Sequence, residues 1–261
     1  YNLSAALMQN QKFDAASEEI EEARKVPGLA PEKLENLAFW RGIALMQIGE
    51  QDKARVALQE FLAQFPKSRR RGDAALLAAT SLVAQEKFKE AAAAMKVLRE
   101  DPESVHRGRA AVMELHSLIE SGQDQAALDL LAVEAARQDR IAQIATFQTL
   151  ALRLGEKFLE DEKPREPVRA LQAVWSRARL IAHQQRRLAE VRERLKTLEA
   201  SSSPDIFERA QARQMEREID KELKNLEKLP SFDASVRFRM ASAFHRMDRF
   251  RECAPLREDM L

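Results

Sequence analysis

The chain has 261 residues, of which only 7 are Gly, 2 are Trp and 1 is Tyr, while 33% are charged. With strand formers this thin and Thr confined to Thr80, Thr146, Thr149 and Thr197, a large β-sheet is excluded and a helical protein is expected. Hydrophobic residues make up 45%, which argues against wholesale disorder, no apolar run is long enough to span a bilayer, and a net charge of +1 gives no field to steer the chain toward nucleic acid or anionic lipid.

In chain order, the first pattern is a repeat centred on Ala16, Ala54, Ala91 and Ala127, at separations of 38, 37 and 36 residues. A leucine stands nine residues before each alanine (Leu7, Leu45, Leu82, Leu118), and a large apolar residue four after it (Ile20, Leu58, Met95, Leu131). Twelve before come Ser4, Gly42 and Ala79, with Leu115 in the fourth unit. Such spacing predicts a hairpin of two antiparallel helices, brought close by the small residues and sealed by the large ones. Each hairpin leaves one apolar side for its neighbour, so the units are expected to stack. Gln11-Lys12-Phe13, Gly49-Glu50-Gln51, Gln85-Glu86-Lys87 and Ser121-Gly122-Gln123 read as links within hairpins, and Pro27, Pro66 and Pro102 punctuate the links between them.

From Asp139 the period lengthens: Ala170, the next candidate, lies 43 residues beyond Ala127 and has no leucine nine before it. One helix is predicted from about 141 to 159, stopped at Glu162-Lys163-Pro164, and a long one from Pro167 to about 200. Ser203 as cap and Pro204 in the first turn open a second long helix, which ends at Leu229-Pro230. Leu188, Val191, Leu195 and Leu198 step by three and four, as do Ala212, Met215, Ile219, Leu223 and Leu226, so the two should pair as a hairpin. Arg186, Glu190 and Arg194, with Asp220 and Lys224, would keep it solvated. The repeat returns with Ala241 twelve and Phe244 nine residues before Cys253, although Arg257 stands where a large apolar residue belongs. The expected architecture is all-α: an α-solenoid of helical hairpins in residues 1–138, an irregular long-helix segment continuing it in 139–230 with the long hairpin inserted, and a partial hairpin in 231–261.

On Gly42, Leu45, Ala54, Leu58 and Pro66 the sequence resembles the tetratricopeptide repeat family, over residues 1 to about 137 and again near the end. The stretch from Phe61 to Ala91 is similar to repeats of bacterial cell-envelope proteins, which implies the periplasm or cell envelope. The resemblance implies a protein or peptide partner. Family members that clamp acidic chaperone tails use Lys and Asn on the first helices, where this chain has Phe39 and Ile43.

No phosphate loop, nucleophile elbow, paired-cysteine motif or zinc-binding helix occurs, so neither catalysis nor a cofactor nor a metal is expected. Glu114 and His116, two residues apart, fall on different helix faces. Cys253 occupies a small-residue position and is read as a packed thiol. Helical projection places Asn36, Phe39, Ile43 and Gln47 of the second unit away from the hairpin seam, with Asp73, Leu76 and Thr80 in the third and Arg109, Val112, His116 and Glu120 in the fourth. Phe39, Ile43, Leu76 and Val112 would supply apolar area and the rest directional contacts to a peptide or partner helix. The expected role is a non-enzymatic protein–protein interaction scaffold that binds its partner in this groove, with no nucleic acid and no direct membrane span. The alternative is a structural or oligomerisation module acting through the long hairpin 166–229.

Overall fold

The computed structural model describes residues 1–141, 143–163, 165–200 and 206–258. Among them there is no strand, and the fold is all-α, with consecutive helices packing as neighbours in the manner of a helical-repeat solenoid. The chain divides into two compact units, Tyr1–Ala127 and Leu128–Leu261.

The N-terminal unit contains α1 (Asn2–Gln9), α2 (Phe13–Arg24), α3 (Pro31–Gln47), α4 (Gln51–Gln64), α5 (Arg71–Ala84), α6 (Phe88–Glu100) and α7 (Arg107–Glu120), and α8 (Asp124–Ala135) runs across the division. From α1 to α7 each helix packs on the next, and α3 also touches α1 and α5, so the first helices of these hairpins lie side by side. Ala16, Ala54, Ala91 and Ala127 are completely buried, as are Ile20, Leu58, Met95 and Leu131 four residues on. The close approach that the small residues allow is explicit at Gly42, where a Cβ would lie 2.5 Å from Leu58. Arg41 on α3 ties three helices together through Glu21 on α2 and Glu60 on α4.

The hairpins that carry the repeat alanines turn through the same device. The residue five before each repeat alanine has a positive φ: Gln11, Gly49, Glu86 and Gly122. The next amide then donates back to the carbonyl of the repeat leucine, as from Glu50 to Leu45 at 2.9 Å and from Lys87 to Leu82 at 2.9 Å, the bonding of a Schellman cap.

That device reveals what the sequence pattern concealed in the C-terminal unit. Here α9 (Ile144–Glu160), preceded by a 3₁₀ turn at Gln138–Arg140, is followed by α10 (Glu166–Leu171), α11 (Arg177–Ala200), α12 (Ile206–Lys228), α13 (Asp233–Arg246) and α14 (Phe250–Glu258). Glu162 and Asp248 have positive φ, and Lys163 and Arg249 donate to Phe158 and Phe244 at 2.9 and 3.0 Å. Gly155 faces Leu171 as Gly42 faces Leu58. By this register α9 and α10 are a further hairpin in which Pro167, not Ala170, takes the alanine position. Proline is tolerated there because α10 has only just begun. In the last hairpin Cys253 is buried and its Sγ lies 3.4 Å from the Ala241 carbonyl oxygen, a packed thiol.

The continuous helix expected from Pro167 to about 200 is interrupted at 172–176. The cause is a buried glutamine network: Gln138 donates to the Ala173 carbonyl at 3.0 Å, Gln148 donates to Gln138 and to Ala173, and Gln148 Oε1 accepts the Trp175 amide. Backbone groups that a continuous helix would satisfy internally are satisfied by these side chains instead. Beyond the break, α11 and α12 pair along Leu188, Val191, Leu195, Ala212, Ile219 and Leu223. Asp220 pairs with Lys224 at 2.6 Å. Meanwhile α13 packs on α9 and α10, so the long hairpin is an insertion between two successive hairpins. Ser203 and Pro204, and the side chain of Arg257, lie outside the described residues.

Candidate functional site

The strip expected to meet a partner lies on α3, α5 and α7, the first helices of three successive hairpins. Their residues at equal register are treated very differently by packing. Phe39, Leu76 and Val112 are buried, at 9%, 3% and 3% exposure. Phe39 packs on Phe61 with ring centroids 5.4 Å apart and beneath the Arg70 guanidinium, and Leu76 packs with Met95, Leu98 and Ala110. These three therefore belong to the interior, Phe39 and Leu76 being covered both by the second helix of their own hairpin and by the helix that follows it. Their apolar area is already buried.

The residues four positions further along each helix, Ile43, Thr80 and His116, remain half-buried at the surface, with Gln47 exposed and Glu120 half-buried one turn beyond. The Thr80 hydroxyl donates to the Leu76 carbonyl at 2.8 Å and lies 3.9 Å from Met113 Sδ on α7, so Met113 joins this face. His116 meets the edge of Phe88 and approaches Glu120 at 3.5 Å. At the other end of the strip Asn36 donates to the Tyr1 hydroxyl at 2.9 Å and accepts from Arg70 at 2.7 Å, while Asp73 pairs with His106 at 2.9 Å. Arg109 is exposed. Glu114 and His116 are not brought together: Glu114 is buried against Arg99 at 2.6 Å, and burial raises its pKa against the opposing pull of that guanidinium.

A second concavity, which the sequence reading missed, opens between α4 and α6 over α5. Its volume is about 720 Å³. Ala75, Ala78 and Ala79 of α5 make its floor, with Leu82 beyond them, and Leu62 and Leu98 flank it. Arg55, Arg69 and Arg71 are on its wall, as are Asp101 and Glu103, and the exposed side chains of Val97 and Val105 project beside them. The alanine run of α5 was the signal available in the sequence.

Residues 37–68, which cover most of α3, all of α4 and the turn that follows, match the family model of the tetratricopeptide repeat. The chain carries a tetratricopeptide repeat. Tetratricopeptide repeats generally mediate protein–protein interactions, and the class is typically a non-enzymatic scaffold. A search of the curated proteins finds no match to the chain. The matched repeat is the hairpin whose first helix carries Phe39, Ile43 and Gln47, so the surface strip begins on the segment that bears the family pattern. Among the described residues no group of three or more His, Cys, Asp and Glu side chains is arranged to hold a metal ion, and no helix is long and apolar enough to cross a membrane.

Proposed function

We propose that the chain is a non-enzymatic scaffold that holds an extended segment of a partner protein across α3, α5 and α7. The observation that carries this reading is the ladder of Ile43, Thr80 and His116, one residue at equal register on each of three helices, α3 packing on α5 and α5 meeting α7 through Thr80 and Met113, bordered by Gln47 and Glu120. Packed helices lie about 8–10 Å apart. An extended chain advances about 3.3 Å per residue, so every third residue of a peptide would meet a new helix. Ile43 offers the apolar contact, and Gln47, Thr80, His116 and Glu120 offer the directional ones that fix orientation. With Phe39, Leu76 and Val112 packed inside, the strip is more polar than the sequence suggests. The partner segment is accordingly expected to be mixed in character rather than a fully apolar helix.

Site-specific photo-crosslinking in the native extract tests this reading. A benzoylphenylalanine at position 43 or 116 should trap the same protein, whereas one at position 97, beside the alanine-floored cleft, should not. Crosslinks from position 97 alone would move docking to the cleft, and none from any of the three positions would remove the scaffold reading. Gln47→Arg combined with His116→Asp, at positions outside the core, should abolish capture while leaving the helical circular dichroism and melting temperature unchanged.

A further inference from the structure

The glutamine network at 172–176 does more than end a helix. By turning the chain between α10 and α11 it sets the root of the long hairpin away from α9, leaving a cavity of about 310 Å³ between them. Its walls are mostly apolar, with Leu152 from α9, Val174 from the break, Leu226 from α12 and Phe232 beyond it. Among the described residues of its lining, Glu222 is the one that carries a charge. Gln184, itself completely buried, donates to Glu222 Oε2, which fixes the carboxylate and leaves Oε1 lone pairs to accept from elsewhere. Burial raises the Glu222 pKa while the neighbouring Arg187 opposes that rise. Arg177 holds the end of α12 through the carbonyls of Leu226, at 3.0 Å, and Glu227, at 2.8 Å, so the far wall is tied down as well.

The combination is that of a small-molecule site: a preformed, largely apolar concavity at the low end of the usual size range, with a fixed carboxylate to set orientation. We propose that this cavity binds a small apolar amine of roughly a dozen non-hydrogen atoms, its hydrocarbon body against Leu152, Val174, Leu226 and Phe232 and its N–H donors at Glu222. A carboxylate held in a low-dielectric wall favours a cation or strong donor over a neutral hydroxyl, because the charge-assisted bond gains more there than in water. The site lies in the C-terminal unit and is independent of partner docking on α3, α5 and α7.

Isothermal titration of the full chain with 1-naphthylmethylamine and with 1-naphthylmethanol tests the assignment. The amine should bind with Kd on the order of 0.1–1 mM and the alcohol about tenfold more weakly. Glu222→Gln should bring the amine down to the alcohol's affinity, and Glu222→Asp, which withdraws the carboxylate, should do so in part. Thr149→Phe, at an exposed position on the cavity rim, and Ala145→Phe should abolish binding of both compounds with the melting temperature preserved. No heat from the amine at up to about 10 mM, or full binding in both filled variants, would overturn the site. Equal amine affinity in wild type and both Glu222 variants would overturn the role of the carboxylate.

Discussion

A Cβ built on Gly155 would lie 2.8 Å from Leu171, just as one on Gly42 would lie 2.5 Å from Leu58. The two pairs share one sequence separation and one structural role: a missing side chain on the first helix of a hairpin receives a leucine from the second. Gly→Ala at either place adds a methyl to a filled seam, and overpacking of this kind costs about 1–3 kcal/mol, against which the better helix propensity of Ala returns up to about 1 kcal/mol. Gly42→Ala and Gly155→Ala should each lower the urea midpoint of unfolding. Shortening the facing leucine in the same chain, as in Gly155→Ala with Leu171→Val, should cost less than the sum of the single changes.

The hairpin turns offer the opposite test. Glu86 and Glu162 adopt φ of 57°, a left-handed conformation that costs a residue with a Cβ roughly 1 kcal/mol. Glu86→Gly and Glu162→Gly should therefore raise stability by about 0.5–1 kcal/mol, whereas Gly49→Ala should lower it by a similar amount. Thermal melts of the three variants check both signs at once.

The buried network predicts a larger effect. Gln148 satisfies Gln138, the Ala173 carbonyl and the Trp175 amide together, so Gln148→Leu strands several buried polar groups. A loss of about 2–4 kcal/mol is expected from the C-terminal unit, read from Trp175 fluorescence in denaturant with Trp40 replaced by Phe.

Acid should act through His183. It is buried, its Nε2 has no hydrogen-bond partner, and its ring meets the edge of Trp175 with centroids 5.3 Å apart. Burial lowers its pKa below the ordinary 6.5, with Arg187 and Arg186 pushing the same way and Asp139 and Glu190 opposing. A lowered folded-state pKa means that the unfolded chain binds the proton more readily. This group's stabilising contribution is thus complete above pH 6.5 and is lost as pH falls from there through the folded-state pKa. Denaturation at pH 7.5 and pH 5.5 should show wild type weakening on acidification by more than His183→Gln does. An equal loss in the two proteins would remove His183 from the account.

Much of this fold is written in spacing alone. Ala16, Ala54, Ala91 and Ala127, with their leucines nine before and large residues four after, define helix pairs because only a small residue fits where two helices cross closely, and all four are fully buried. The stripe of Leu188, Val191, Leu195, Ala212, Ile219 and Leu223 likewise defines the long hairpin, since helical periodicity places those side chains on facing sides whatever surrounds them.

What tertiary structure decided is what lies against each face. Pro167 can stand in for the repeat alanine only because the turn at Glu162 sets the register, information carried by backbone geometry rather than by residue type. The break at 172–176 depends on Gln138 and Gln148, 35 and 25 residues before the Ala173 carbonyl they bind, and no local propensity records a partner that distant. Helical projection placed Phe39, Leu76 and Val112 away from the seams of their own hairpins, yet Phe39 meets Phe61, and Leu76 meets Met95 and Leu98, on the second helix of the same hairpin. Whether such a side chain meets solvent or a packed helix is decided by tertiary structure, and here all three are buried, leaving Ile43, Thr80 and His116 as the surface.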